Sequence, residues 1–120
     1  MSTLVKFSDS TVEPVQNDTT KVTVSGDPRH TAWLHFQGNN GAFRSGVWES
    51  TAGVFKGPMN DQIEFCHILE GKARIVVGDE SFVVEAGDSF VMDNGLQPVW
   101  HVEEYIRKSF VIAAVPAATS

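Results

Sequence analysis

The sequence predicts an all-β domain of short antiparallel strands, and three observations predict it. Gly71, Gly78, Gly87 and Gly95 fall seven to nine residues apart. The segments between them, "ARIVV", "SFVVE" and "SFVMD", are rich in Val, Ile and Phe, which suit a pleated, half-buried surface. No window sustains the 3.6-residue period of an amphipathic helix. Evenly spaced short strands joined by tight turns are the pattern of a sandwich or barrel. A chain of 120 residues supports one core of this kind and not two.

In chain order, residues 1–25 read as an N-terminal arm, 26–115 as the folded domain and 116–120, within "VPAATS", as a frayed tail. The arm is polar and turn-rich, with one alternating patch, "KVTVS", that predicts an edge strand. It is expected to lie across the barrel or across a neighbouring subunit. "HTAWLHFQ" predicts the next strand, and "GNNGAF" the loop after it. Further strands are predicted near 46–50, 63–69, 73–77, 81–85, 89–92, 98–103 and 107–114. "VGDES" and "EAGDS" are predicted hairpin turns, because Asp and Gly supply the backbone angles that join two strands. The near-copies "GDESFV" and "GDSFV" are too short for a solenoid unit and read as similar hairpins of one meander.

Charge excludes several partners. Nine Lys and Arg against fifteen Asp and Glu give a net charge of −6, the wrong sign for neutralising phosphates, so neither nucleic acid nor an anionic membrane is expected. "MSTLVKFSDS" lacks the apolar stretch of a signal peptide, and no run approaches the roughly 20 apolar residues of a membrane helix. A cytoplasmic protein is expected. The single cysteine, Cys66, excludes an internal disulfide and an all-cysteine zinc site.

The chemistry concentrates in "IEFCHILEG", residues 63–71. Side chains alternate across a strand, so Glu64, Cys66 and Ile68 share one face, and Phe65, His67 and Leu69 share the other. Both faces are largely apolar, which predicts a strand covered on both sides, by the interior on one and by the arm or a second subunit on the other. An isolated carboxylate in an apolar interior costs several kcal/mol unless it is paired, metal-bound or protonated. Glu64 therefore needs a partner or a role.

At residues 46–112 the chain resembles a small cupin, of the group that includes the cupin domain of ureidoglycine aminohydrolase and the ethanolamine-utilisation and DUF861-like cupins. The carriers are "GVWE", "EFCHILEG", "GDSFVMDNG", "VWHVEE" and "RKSFVI", in that order. The resemblance implies an antiparallel jelly-roll β-barrel, the double-stranded β-helix, with a small-molecule pocket in its mouth and commonly a homodimer. The general cupin pattern supplies two histidines, a glutamate and a third histidine as metal ligands. Glu64 and Gly71 match the end of its first motif, but the histidine slots fall on Gly57 or Pro58 and on Met59 or Asn60. Gly87 and Gly95 match the second motif, whose histidine slot is Pro98. Of four ligands only Glu64 survives, and one carboxylate cannot hold a transition ion that needs three or four convergent donors. No metal and no other cofactor is expected.

The candidate site that follows has Glu64 as acid or base, with Met59, Cys66, Arg74, Trp100 and Lys108 as substrate-binding residues. Lys108 or Arg74 would be the partner of an anionic group. Plainer readings stand beside it. Glu64 pairs structurally with Lys56, Arg74 or Lys108, Cys66 is a small core residue, His67 and His101 point outward, and Trp48 and Trp100 fill the barrel. The leading function is a metal-free pocket that binds or processes a small polar metabolite. The alternatives are a metal-dependent ureidoglycine aminohydrolase-like enzyme with unorthodox ligands, and a non-catalytic dimeric accessory cupin. The loop "KGPMNDQ" is the expected lid.

Overall fold

Two strands of 16 residues carry the molecule: β5, Gln62–Val77, and β8, Val99–Ala114. They pair antiparallel along most of their length, Gln62 opposite Ala114 at one end and Val76 opposite Val99 at the other. A computed structural model describes residues 3–116. Before β5 come β1 Val15–Asn17, β2 Thr23–Gly26, β3 His30–Gly38 and β4 Phe43–Lys56, and between the long strands lie β6 Glu80–Glu85 and β7 Ser89–Met92. The ladder runs β1-β3-β4-β8-β5-β6, with β2 on β4 and β7 on β5. Every pairing is antiparallel. The fold is the expected all-β jelly roll, although the ladder is open between β1 and β6 and does not close into a ring.

The strands predicted at 63–69 and 73–77 are one strand, and so are those at 98–103 and 107–114. Gly71 explains the first merger. It has a φ of +83° and lies so close to β8 that a Cβ would sit 2.1 Å from the Tyr105 carbonyl oxygen. The glycine therefore permits a close backbone approach and a bend where a turn was predicted. Register shifts at Ile68/Glu70 and at Gly71/Arg74 accompany the bend. They switch the buried side chains of β5 from Glu64, Cys66 and Ile68 to Ala73 and Ile75. β4 shifts against β8 at the same level, between Thr51 and Gly53.

"VGDES" forms the β5–β6 hairpin, with Val77 opposite Glu80. "EAGDS" does not join a hairpin of β6 and β7. Gly87 N–H donates to the Ile68 carbonyl and Ile68 N–H to the Asp88 carbonyl, at 2.9 and 2.8 Å. These bonds hand the chain from one half of β5, paired with β6, to the other half, paired with β7. "GNNGAF" is a short 3-10 turn, with Asn39 and Asn40 at positive φ. The arm extends its own chain's sheet, β1 on β3 and β2 on β4. "KVTVS" pairs there as expected, though from Thr23 onward. The tail at 117–120 lies outside the described residues.

One sheet face encloses the core, in which Trp100, Ile68, Ile106 and Cys66 are fully buried. Within the single chain β5 is covered on its inner face only, so the arm is not the cover of its outer face. Phe65 and Leu69, on the outer face, are 42% and 45% exposed in the single chain, because the arm packs along β3 and β4 and not over β5.

Candidate functional site

Antiparallel register sets three inner-facing rows across β4, β8 and β5. Arg44, Ile112 and Glu64 form the first, Gly46, Phe110 and Cys66 the second, and Trp48, Lys108 and Ile68 the third. Glu64 and Lys108 thus stand on neighbouring strands, displaced along them so that a lysine can reach across. Lys108 Nζ donates to Glu64 Oε2 at 2.6 Å, and both side chains are less than a tenth exposed. The Cys66 thiol donates to the same oxygen at 3.3 Å. No protein group bonds Glu64 Oε1 among the described residues.

Aromatic rings frame the ammonium. It lies 4.6 Å from the ring centre of Trp48 and 4.8 Å from that of Trp100, where the negative ring faces stabilise a cation. Phe55 stacks on Trp100 with ring centres 6.2 Å apart, and His30 meets Phe55 and Trp48 edge-on at 4.3 and 4.8 Å. Burial pulls Lys108 toward deprotonation, but the Glu64 carboxylate and the Cys66 sulfur outweigh it, so the ammonium is held above the ordinary lysine range. Burial, reinforced by the charge on Lys108, lowers His30 to about 4, so its imidazole is neutral at pH 7. Burial pushes the Cys66 thiol up to about 12, and the nearby carboxylate adds to this against the opposing ammonium. Such a thiol is no nucleophile at neutral pH.

Apart from Cys66, these groups border a cavity of about 520 Å³ between the inner sheet face and the arm, a volume usual for small-molecule sites. Trp48, Phe55, Trp100, Phe110 and Ile112 supply apolar wall. Glu64, Lys108, His30, Arg44 and Gln62 supply polar groups, and Val15, Asn17, Asp18 and Val22 of the arm contribute one side. The expected lid, residues 56–62, is pinned. Gly57 N–H donates to Pro98, Met59 N–H to Leu96 and Gly95 N–H to Met59, at 3.0, 2.9 and 2.7 Å. The arm is held by the ladders of β1 on β3 and β2 on β4, by a Lys56 N–H bond to the Val22 carbonyl, and by Thr19 Oγ1 donating to the Pro28 carbonyl at 3.0 Å.

Of the residues singled out in the sequence, Glu64, Lys108, Trp100 and Met59 are brought together at the cavity. Cys66 touches Glu64 from beneath but is fully buried and does not border the cavity. Arg74 is exposed and apart from it, because the parity switch at the β5 bend puts Ala73 and Ile75 inward in its place. Arg44 is the arginine at the wall, and His30 was likewise missed. Both shared the alternation that places Trp48 inward, Arg44 through "RSGVW" on β4 and His30 opposite Ser50 on β3.

Cupins commonly hold a metal at this level of the barrel, and the donors here do not fit one. Among the described residues no three His, Cys, Asp or Glu side chains converge as a metal site, and Glu64 already neutralises an ammonium. The cation at the glutamate is the protein's own.

The EutQ-like cupin domain family matches residues 37–110. Solved structures with this fold include the EutQ protein of Clostridium difficile, 16% identical with a TM-score of 0.69 over 93% of this chain and 81% of that one. The cupin domain of Schizosaccharomyces pombe Cnp3 is 21% identical, with a TM-score of 0.62 over 71% of this chain, which spans 64% of that domain's length. A DUF861 family protein from Thermotoga maritima is 35% identical over 53% of this chain and 73% of its own, with a TM-score of 0.50. No curated protein matches. With more than half its length matched by that family, the chain belongs to the EutQ-like cupins.

Proposed function

We propose that the cavity binds, and in one form of the reading processes, a small polar organic metabolite without a metal. The observation that carries this is the buried Glu64–Lys108 pair at the border of a largely apolar cavity of about 520 Å³. A buried ion pair is a poor way to gain stability, since apolar residues of similar volume often serve as well or better. A pair that leaves a carboxylate oxygen without a protein partner, next to open space, is better explained as a polar anchor for a guest. Glu64 Oε1 would accept a hydrogen bond from an amide or hydroxyl, and the remaining Lys108 protons would donate.

A cytoplasmic protein that works as a homodimer completes this reading. A thermal-shift screen of small carboxylic acids, amides and ureas tests it. A ligand at about 100 times its dissociation constant stabilises the native state by roughly 2.7 kcal/mol, or roughly 10 °C for a domain of this size. That stabilisation is expected to vanish in the Glu64→Leu/Lys108→Met double variant, whose apolar pair is compatible with the fold. Equal stabilisation of both proteins would remove the pair from the site.

A further inference from the structure

We propose that Arg44 is the anion-recognition residue of the cavity and that the ligand is a small monocarboxylate with an apolar body. This rests on the reading of the cavity as a metabolite site and names the class of metabolite. Three cations border the cavity, Arg44, Lys56 and Lys108, against two carboxylates, Asp18 and Glu64. The excess of one positive charge stands out in a chain of net charge −6. Lys108 is matched by Glu64 at 2.6 Å. Asp18 turns to its own loop, accepting from Thr20 N–H and Thr20 Oγ1 at 3.0 and 2.8 Å. Lys56 is exposed at the rim.

Arg44 is different. It is half-buried, its guanidinium donates only a long 3.4 Å bond to Gln62 Oε1, and among the described residues no carboxylate lies within 4.0 Å of it. A planar, permanently charged group with most of its donors free at a cavity wall is matched by a carboxylate, which accepts two parallel hydrogen bonds. Its register sets the ligand's length. Arg44 and Glu64 flank Ile112 in one row, so their Cα atoms stand roughly 10 Å apart, twice the strand spacing. A carboxylate on Arg44 would lay its body over Ile112 and Phe110 and bring its far end to Glu64 Oε1 and Lys108. That end meets a neutralised pair, so it is uncharged and polar, and the ligand carries a single charge.

The test titrates the full chain with 4-hydroxyphenylacetate and 6-hydroxyhexanoate, and with the matching neutral amides. Tryptophan emission and thermal shift are the readouts. The carboxylates are expected to bind at least about tenfold more tightly than their amides, the worth of one charge-assisted contact. Arg44→Gln is expected to erase that preference and to leave the unliganded melting temperature unchanged, since Arg44 makes no strong contact within the protein. Amides binding as well as carboxylates, or an unaltered carboxylate preference in Arg44→Gln, overturns the assignment of Arg44 and leaves the cavity reading standing. Binding of neither set overturns both.

Discussion

At the scale of the residue, the account turns on what Lys108 does for Glu64. Lys108→Met alone leaves a buried carboxylate unpaired and is expected to cost about 3–5 kcal/mol of unfolding free energy, measured by chemical denaturation. Adding Glu64→Leu is expected to recover most of that loss, because the double variant buries no charge. A Lys108→Met protein as stable as the parent would mean that the pair is not closed in solution. His30 sets a pH dependence of determinate sign. Its folded value of about 4 lies below the ordinary value of 6.5. Between these limits the unfolded chain therefore binds a proton that the folded one excludes. Stability falls as pH drops from about 6.5 to about 4, by on the order of 2 kcal/mol from this residue. His30→Phe is expected to flatten that part of a stability–pH profile, and an unchanged slope would place the imidazole in water.

At the scale of the element, the bend in β5 decides which side chains reach the cavity. Gly71→Ala would place a methyl against the Tyr105 carbonyl and hold a non-glycine residue at φ +83°. The backbone alone is expected to cost roughly 1–3 kcal/mol, read as a lowered denaturation midpoint, and a neutral substitution would show that the close approach is not needed. The same bend marks where the sequence stopped being legible. Alternation in "IEFCHI" correctly gave Glu64 and Cys66 one face. Past Gly71 the parity changes at the bulge without any change in composition, so Arg74, expected beside Glu64 as an anion partner, lies outside the cavity. Gly71 looked like a turn because a glycine that permits a close backbone approach and one that turns the chain read alike in one dimension. Arg44 and His30 went unseen for another reason. Alternation puts both on the face of Trp48, but that they meet Glu64 at the cavity depends on register between strands far apart in sequence, such as Arg44 opposite Ile112, which no local pattern encodes.

At the scale of the whole molecule, the bare outer face of β5 has its own consequence. Phe65 is directly opposite Val91, and with Leu69 further along the same face of β5 the three are 42–60% exposed, exposed apolar side chains of the kind that mark an interface. A second copy of the chain is the proposed cover, so light scattering at micromolar concentration should report a dimer and Phe65→Glu a monomer. A monomeric parent would count against that proposal. The central claim concerns the cavity, and a crystal structure with the strongest binder from the metabolite screen tests it most directly, using data collected at a wavelength sensitive to first-row transition metals. The account predicts an organic molecule between Trp48, Trp100 and Arg44, with Lys108 still bonded to Glu64 and no anomalous peak at the carboxylate. A metal ion bonded to Glu64 with Lys108 displaced, or a compound seated elsewhere beside an empty cavity, would contradict it.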